Sequence, residues 1–435
     1  MQTGSHGQDL GTAAAEAFAD PTFKDRAYAV YADLRAADPV SSARMPDGRT
    51  MWFVARYDDT LTVLRDHTRF GNDPGNVYSQ DQLEAMYAGW LSRLTPEQQA
   101  RVAEVDRAIS RHLLGVDPPD HSRLRRLVSQ SFTPRFVEGL RLRVQQIADG
   151  LVDEIEARTA ASGEQRFDLI EAFAFPLPLT VIAEMLGIPT EMRERFRVWS
   201  HAAVAFNPAE PGDPGQNDLL FEFVEYLRGL IAKKREAPAD DLVSGLVEAE
   251  SEGDRLSEDE LVAMIFLLIV AGHETTVNLI GNGMLTLFEH PEQLARLKVE
   301  PSPDLMKGAI EEILRYSGPV EHSLSRWARE DIELHGQTIR RGEQVIVLLA
   351  SADRDETLVA NPERFDIGRE PVRHLAFGMG IHVCLGAPLA RIEGQVAFST
   401  LLGRMPGLRL DAPREALRWR QGSLIRGVET LPVAF

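Results

Sequence analysis

A glycine-rich stretch around the only cysteine of the chain is the part of the sequence best suited to chemistry. Cys384 follows Gly378 and Gly380, and a helical pattern begins at residue 387 with Pro388 in its first turn, where proline is tolerated. The sequence therefore predicts a tight loop that leads into a helix N-terminus. The partial positive charge and the free N–H groups of that terminus favour an anion, here the cysteine thiolate. Glycines on both sides of the cysteine allow the backbone to turn sharply and to approach a large flat group.

Three other roles of Cys384 have to be weighed. A lone cysteine is most often a small buried hydrophobic residue, but glycines and a helix start rarely surround a core residue. A zinc site would have His382 and Cys384 as ligands, but the chain has no second cysteine. A cysteine hydrolase is compatible with the residue types, although nothing else in the sequence supports it.

The spacing Phe377-x-x-Gly380-x-His382-x-Cys384-x-Gly386 resembles the haem-binding loop of the cytochrome P450 family, the haem-thiolate monooxygenases. The resemblance implies haem b as the cofactor, with Cys384 as the proximal iron ligand whose thiolate donates electron density to the metal. It also implies that the other four residues of the motif contact the cofactor. The resemblance extends over residues 25–435.

Length and composition indicate one large domain. The chain has 435 residues, 44% of them hydrophobic, and shows no linker or repeat, which predicts a loose arm over 1–20 and a single domain over 21–435. A single cysteine excludes an intramolecular disulfide and fits the cytoplasm. The net charge of −19 argues against binding to nucleic acid or an anionic membrane. The apolar run 261–271 is shorter than the about 20 residues that span a bilayer, so we expect a soluble protein, and a monomer.

The longest helical pattern covers residues 257–290 and is apolar nearly all round over 261–271, which predicts a buried helix. Its middle carries Ala271-Gly-His-Glu-Thr-Thr276, where glycine and polar residues are costly. This pattern predicts either a tolerated kink or an opened turn that leaves a groove for dioxygen. The stretch resembles the oxygen-activation motif of the family, which implies Glu274 and Thr275 as the catalytic acid–alcohol pair and Ala271 as a haem contact.

Basic residues elsewhere match haem propionate ligands of the family. His121 and Arg125 lie four residues apart on one face of a helix that is predicted to start near residue 117. By itself this pair is typical of a solvated basic face. The resemblance implies instead that both bind a propionate, which suits the planar arginine fork. It also implies Arg326 and His374 as further propionate ligands.

Glu312 and Arg315 form an E-x-x-R pair, a spacing that recurs several times in the chain and by itself indicates only a surface pair. Its position before the cysteine loop resembles a buried ion pair of the family. The resemblance implies that Arg364, from the Asn361-Pro-Glu-Arg364-Phe loop, is the third member of a structural brace for the cysteine loop.

The resemblance implies a mainly α fold (α+β), with a small β-rich region and the haem between the long central helix and the helix after the cysteine. The sequence itself predicts a β-hairpin over 40–56 and helices over 134–157, 169–186, 189–204 and 217–235. Segment 72–95 is predicted to be a long irregular loop that is either a lid or simply mobile, and the resemblance implies that it covers the substrate. Segment 207–215, rich in glycine and proline, is predicted to be a mobile loop over the pocket mouth. The residues expected to line the substrate pocket are Met86, Trp90, Leu267, Val270, Val320, His322, Leu324 and Leu424.

The implied activity is oxygen insertion from O2 into a bulky, mostly apolar small molecule, by hydroxylation or epoxidation. Residues 270–282 and 318–321 resemble actinobacterial enzymes that tailor macrolides and other polyketides in secondary metabolism. A steroid or terpenoid hydroxylase is an alternative, and a non-catalytic partner-binding helper is an alternative of another class.

The chain has no segment for a flavin or an iron–sulfur cluster, because one cysteine cannot hold a cluster. Electrons are therefore expected from a ferredoxin or flavodoxin with an NAD(P)H-dependent reductase. An acidic protein needs a local basic patch to bind an acidic donor. The expected patch consists of Arg123, Arg126, Arg135, Arg141 and Arg143.

Overall fold

The computed structural model describes residues 11, 15, 20, 22–45, 48–92, 94–205, 214–251, 253–299, 302–420, 422 and 424–435. Within these ranges the side chains of residues 87, 90, 204, 205, 214–216, 250 and 251 lie outside the description. The described chain is mainly helical with small sheets, as the sequence predicted.

The α-helices of the described chain, in chain order, are α1 (Phe23–Ala37), α2 (Tyr57–Arg65), α3 (Gln80–Leu91), α4 (Pro96–Ile109), α5 (Asp120–Ser131), α6 (Pro134–Gly139), α7 (Arg141–Ser162), α8 (Pro176–Met185), α9 (Arg193–Ala205), α10 (Pro214–Glu236), α11 (Leu242–Glu248), α12 (Glu258–Glu289), α13 (Pro291–Val299), α14 (Pro303–Ser317), α15 (Leu349–Ala352) and α16 (Ala387–Arg404). Short 3₁₀ turns lie at Pro74–Asn76, Thr190–Met192, Gly380–His382 and Arg414–Ala416, and a π turn lies at Ile170–Ala174.

The strands of the described chain are β1 (Val40–Arg44), β2 (Thr50–Val54), β3 (Phe70–Gly71), β4 (Arg166–Asp168), β5 (Glu250–Ser251), β6 (Asp254–Arg255), β7 (Arg326–Ala328), β8 (Ile332–Leu334), β9 (Gln337–Ile339), β10 (Gln344–Val347), β11 (Arg409–Leu410) and β12 (Pro432–Ala434). The largest sheet has the strand order β1-β2-β10-β7-β3, and only the β2–β10 pair in it is parallel. A second sheet has the order β11-β12-β4, and β5-β6 and β8-β9 are two-stranded.

The chain divides into two compact units. The first comprises residues 1–72, 141–177 and 275–435 and contains the largest sheet; we call it the sheet unit. The second comprises residues 73–140 and 178–274, and we call it the helical unit. Helix α12 begins in the helical unit and ends in the sheet unit.

The core of the sheet unit follows from the alternation of side chains along its strands. Trp52 and Val54 of β2 join Val345 and Val347 of β10 in one apolar cluster. The intervening Phe53 packs on the opposite face of the sheet, in the cluster that also contains Phe23, Tyr31 and Ile346. Both faces of the strand pair are therefore buried, one of them under α1.

Several elements confirm the predictions, and one segment does not. The hairpin over 40–56 is β1 paired with β2, and the helix predicted over 257–290 is α12. The prediction of an irregular loop over 72–95 is wrong, because this segment contains α3 and the N-cap of α4, where Thr95 and Gln98 form a capping box. Helix α3 is mostly exposed and lacks a continuous apolar stripe, so its periodicity is weak in the sequence. Of the loop predicted over 207–215, residues 207–213 lie outside the described chain, and α10 begins at Pro214.

Helix α12 is long and apolar enough to cross a membrane by length and composition alone. However, 67% of its most apolar window is buried inside the protein, which is typical of a core helix.

Candidate functional site

The cysteine loop is built by two glycine turns and ends at a helix N-terminus. Gly378 and Gly380 have φ of +67° and +77°, the left-handed region that favours glycine. A Cβ atom on Gly380 would lie 2.4 Å from the Leu64 carbonyl oxygen, so the loop also packs directly on the end of α2. Gly386, by contrast, has an ordinary φ of −80° and acts as the N-cap of α16.

Cys384 lies two residues before that N-cap, and its side chain is exposed. Its amide donates a hydrogen bond of 2.9 Å to the Phe377 carbonyl, which closes the loop behind it. Exposure is incompatible with the role of a small core residue. Among the described residues, no group of three His, Cys, Asp or Glu side chains could hold a metal ion, so a multi-residue zinc site is not found there. An exposed sulfur that precedes a helix N-terminus could serve as the one protein ligand of a metal held in a cofactor.

An arginine that the sequence analysis missed lies beside the loop. The Arg391 guanidinium stacks over the Phe377 ring, 4.5 Å from its centroid, and makes two hydrogen bonds of 2.6 and 2.8 Å to the carboxylate of Glu311. Burial alone would raise the pKa of Glu311, but hydrogen bonds from Arg391 and His374 lower it to about 2. Glu311 and Arg391 therefore form a permanent ion pair that fixes one wall of the cysteine loop.

His374 belongs to the same wall. Its Nε2 lies 3.0 Å from Glu311, and its Nδ1 accepts a hydrogen bond of 3.3 Å from the Ala376 amide. One ring nitrogen thus contacts α14 and the other contacts the loop backbone, and the role of His374 as a propionate ligand stays a prediction. Next to it, Asp353 accepts a hydrogen bond of 2.6 Å from the Leu375 amide, and burial raises the pKa of this carboxyl to about 6.

The predicted brace exists with a different third member. Arg315 and Glu312 form a fully buried pair at 2.7 Å, and Arg315 also donates to the carbonyls of Asp353 and Pro362. The second guanidinium on Glu312 belongs to Arg369, at 3.1 Å and 14% exposed. The prediction of Arg364 is wrong in this respect, because its side chain is 68% exposed and faces Asp366, while only its backbone carbonyl accepts bonds from the two arginines. Charge spacing in the sequence cannot distinguish these neighbouring arginines.

The catalytic pair predicted on α12 directly follows the two exposed residues of an otherwise packed stretch of the helix. From Glu260 to Leu287 only Ala271 and Gly272 are exposed, and all the other residues are buried or half-buried. These two residues are therefore the point at which this stretch of the helix is accessible to solvent. Glu274 is buried and Thr275 half-buried in the following turn. The helix continues without a break through residues 271–276, which differs from the predicted opened turn.

A second buried acid contacts α12 further along. Thr276 donates a hydrogen bond of 3.2 Å to Glu393 of α16, and burial raises the pKa of this carboxyl to about 8. The sequence contains a signal for Glu393, because it lies on the face of α16 that also carries Leu389, Val396 and Ala397. An acidic residue on the apolar face of a helix is expected to be buried, so this pattern marks Glu393 as a buried titratable group.

In the helical unit, His121 and Arg125 both belong to α5, with His121 buried and Arg125 half-buried. Their shared face agrees with the prediction, and their propionate roles stay predictions. In the sheet unit, Arg326 opens β7 and is buried, with Nη1 3.5 Å from the Phe70 carbonyl.

The predicted basic patch loses one member. Arg123 pairs with Glu260 and, at 3.4 Å, with Asp254, so it is a structural ion pair of the helical unit. Arg126 and Arg135 are exposed in the same unit. Arg141 and Arg143 belong to the sheet unit, where Arg141 is half-buried at 3.3 Å from Gln395 and Arg143 is exposed.

The residues predicted to line the pocket fall into both units. Met86, Leu267 and Val270 are half-buried in the helical unit, and the side chain of Trp90 lies outside the description. In the sheet unit, Val320 forms a β-bridge with Ile425, and the Glu321 amide donates to the Leu424 carbonyl at 2.9 Å, which brings two of the predicted segments together. Leu324 is 44% exposed, while His322 is buried, and burial lowers the pKa of its imidazole.

The chain is similar to known proteins over most of its length. A family model described as "Cytochrome P450" matches residues 216–405. Cytochrome P450 monooxygenase PikC of Streptomyces venezuelae is 44% identical over 427 residues, 98% of this chain and 93% of the relative. Vitamin D(3) 25-hydroxylase of Pseudonocardia autotrophica is 40% identical, with 95% and 94% covered. The solved structure of cytochrome P450 PksS, from the bacillaene polyketide synthase of Bacillus subtilis 168, superposes with a TM-score of 0.85 at 40% identity and covers 96% of this chain and 98% of that one.

Proposed function

The chain belongs to the cytochrome P450 family of haem-dependent monooxygenases, and from that premise we propose that it hydroxylates or epoxidises a macrolide or another polyketide. The observation that carries the proposal is the exposed Cys384 before the helix N-terminus, combined with the similarity to cytochrome P450 PksS of the bacillaene polyketide synthase. A bulky substrate of this class is mostly apolar, in keeping with half-buried Val320, Leu267 and Val270.

The residues present fit a haem. The Cys384 side chain is exposed at the end of a glycine-rich loop, and Ala271 and Gly272 are the exposed residues of an otherwise packed stretch of α12. We propose Cys384 as the iron ligand and His121, Arg125 and Arg326 as propionate partners. Haem, when bound, supplies the oxygen chemistry.

The chain's own contribution to the reaction is proton delivery and exclusion of water. Glu274 is buried on α12 two residues after the exposed Gly272, and it can carry a proton inward to the hydroxyl of the neighbouring Thr275. Water-free surroundings strengthen such hydrogen bonds. Electrons come from a separate protein, as bacterial members of the family use redox partners, and we propose a ferredoxin or flavodoxin in the cytoplasm.

The proposal is tested first by spectroscopy. The reduced, carbon-monoxide-bound protein should show the red-shifted thiolate band, and Cys384→His should lose it, whereas Val383→Ala should keep it. Spectral titration with macrolides, other polyketides, steroids and terpenoids then ranks the substrate class. If the thiolate band survived in Cys384→His, the proposed iron ligand would be wrong. If no polyketide bound, the proposed substrate class would be wrong.

Proton delivery has its own test. Thr275→Ala should keep haem and substrate binding but consume reductant without product and release hydrogen peroxide. Thr286→Ala is the matched control, because Thr286 is a buried hydroxyl of the same helix that donates to Asn282. If both variants formed the same amount of product per reductant consumed, Thr275 would have no role in the mechanism.

Steroid hydroxylation is a second candidate function. The similarity to the vitamin D(3) 25-hydroxylase favours it, because the name of that protein gives vitamin D(3) as its substrate. Tighter binding of steroids than of macrolides in the same titration would select it. A non-catalytic helper role would instead appear as haem binding without substrate turnover.

A further inference from the structure

Two short segments of the sheet unit cross at the predicted pocket wall. Residues 319–321 and 424–426 run antiparallel, joined by Arg426 N to Pro319 O at 2.8 Å and Glu321 N to Leu424 O at 2.9 Å. Val320 and Ile425 are the bridge pair between these two bonds. Directly opposite residues of such a pair share one face, so Val320 has Ile425, rather than Leu424, beside it.

The opposite face of this crossing carries a buried ion pair. The side chains of Glu321 and Arg426, one residue further on each segment, meet at 3.2 Å, and both are buried. The Arg426 guanidinium stacks over Trp419 at 3.9 Å and over Tyr28 at 4.8 Å. The half-buried apolar side chains of Val320 and Ile425 therefore lie on one face of the crossing, and the buried ion pair of Glu321 and Arg426 lies on the other.

The ion pair is anchored to elements on several sides. Arg426 Nη1 also donates to the Lys24 carbonyl of α1 at 2.8 Å, and Lys24 Nζ donates back to the Ile425 carbonyl. From α12, Asn282 donates to the Arg426 carbonyl at 2.9 Å and to the Ser317 carbonyl at 3.3 Å. The bond to the Lys24 carbonyl holds the Arg426 side chain on α1, and the other three fix the backbone of residues 425, 426 and 317.

Such a pair is poorly explained by stability alone. Burying two charges costs about as much as their attraction returns, so a buried pair is often no better than two apolar side chains. Its geometric effect is definite, however. The pair prevents residues 319–321 from sliding against 424–426, and a slip by one residue would exchange the apolar and the charged faces.

We propose that Glu321 and Arg426 are positioning residues for substrate specificity: their ion pair holds Val320 and Ile425 at the spacing that sets how large a ligand the pocket admits. The inference rests on the proposed function, since it takes Val320 to face the substrate. It assigns the selectivity of this pocket wall to the ion pair between Glu321 and Arg426 behind it.

The test uses the haem-loaded protein and azole probes, which ligate haem iron whatever the natural substrate is. Imidazole serves as the small probe and a triarylmethyl imidazole as the bulky one, with Kd read from the spectral shift. Glu321→Gln and Arg426→Met should leave the imidazole Kd unchanged and change the Kd of the bulky azole by about tenfold, the discrimination typical of small changes in an apolar pocket.

A matched control separates positioning from simple destabilisation. Arg354 is also buried and also stacks on Tyr28, at 3.5 Å, but it pairs with Glu363 and donates to the Tyr316 carbonyl, and it makes no ion pair with residues 319–321 or 424–426. Arg354→Met should lower the melting temperature without changing the ratio of the two Kd values. Because Arg426→Met can fail to fold, Ile425→Ala provides a second variant that leaves the charges intact and should change the same ratio.

The inference is overturned if the ratio stays at the wild-type value in Glu321→Gln and Ile425→Ala, or if Arg354→Met changes it equally. Failure of the proposed function looks different: no polyketide would bind the wild-type protein, while the azole ratio would still respond to Glu321→Gln.

Discussion

Glu393 should make the stability of the protein fall between pH 4.5 and pH 8. Burial in α16 raises the pKa of its carboxyl from the ordinary value of 4.5 to about 8, and the hydrogen bond from Thr276 only partly opposes this. Above pH 4.5 the unfolded chain releases the proton, whereas the folded chain keeps it up to about pH 8. The stabilisation is thus complete below pH 4.5 and is lost as pH rises through 8.

The size of the effect follows from the separation of the two pKa values. Each pKa unit corresponds to about 1.4 kcal/mol, so the full loss has an upper bound of about 5 kcal/mol, and the loss at pH 7 is about 3 kcal/mol. Glu393→Gln keeps the shape and an acceptor for Thr276 but cannot ionise. It should match the wild type at pH 4.5 and exceed its stability by several kcal/mol at pH 8.5.

The assay is guanidinium denaturation of the haem-loaded wild type and Glu393→Gln at intervals between pH 4.5 and pH 8.5. Glu292→Gln, which removes an exposed carboxylate, controls for the loss of one charge. Infrared absorption of the protonated carboxylic acid gives an independent signal, which should be present at pH 7 in the wild type and absent in Glu393→Gln. A constant difference in stability across the pH range, together with no such infrared signal, would refute the reasoning.

Three further predictions concern the loop and the patch. Gly380→Ala should destabilise the protein by about 1–3 kcal/mol in thermal or chemical unfolding, because residue 380 has a positive φ and an added Cβ would meet the Leu64 carbonyl. An unchanged unfolding midpoint would contradict this close approach. Arg369→Ala should lower the free energy of unfolding by about 1–3 kcal/mol, because it removes one of the hydrogen-bond partners of Glu312. Arg364→Ala should change it by less than about 0.5 kcal/mol. Equal effects of the two substitutions would show that the Arg364 side chain belongs to the brace. Arg126→Glu should slow reduction of the protein by an acidic ferredoxin in low salt, with the haem content unchanged. Arg123→Glu should mainly lower the melting temperature, because it places a third carboxylate beside Glu260 and Asp254. A normal rate of reduction in Arg126→Glu would mean that the ferredoxin docks elsewhere.

The structural elements that depend on residues close together in the sequence could be predicted. The cysteine loop, the start of α16, the long core helix and the first hairpin all follow from local spacing, glycine and proline positions, and apolar periodicity. The buried pair of Glu312 and Arg315 could be predicted only through the family resemblance, since its spacing recurs elsewhere in the chain.

Contacts between distant segments could not be predicted in the same way. The bond of Glu311 to Arg391 joins residues 80 positions apart, and the choice of Arg369 over Arg364 depends on how one loop folds over α14. Helix α3 was missed because an exposed helix needs no apolar stripe. Arg123 was misjudged because its carboxylate partners come from β6 and α12, far along the chain.

The parallel pairing of β2 with β10 has a consequence for synthesis on the ribosome. Residues 51–54 bond to 344–347, so one edge of the β-hairpin stays open until roughly 300 more residues have been translated. At bacterial or eukaryotic rates of about 5–20 residues per second, that interval is on the order of 15–60 s. Throughout it, an apolar strand containing Trp52, Phe53 and Val54 has no partner on that edge, and such edges recruit other strands. The nascent chain should therefore be most prone to aggregation, and most dependent on chaperones, before residue 347 has left the ribosome.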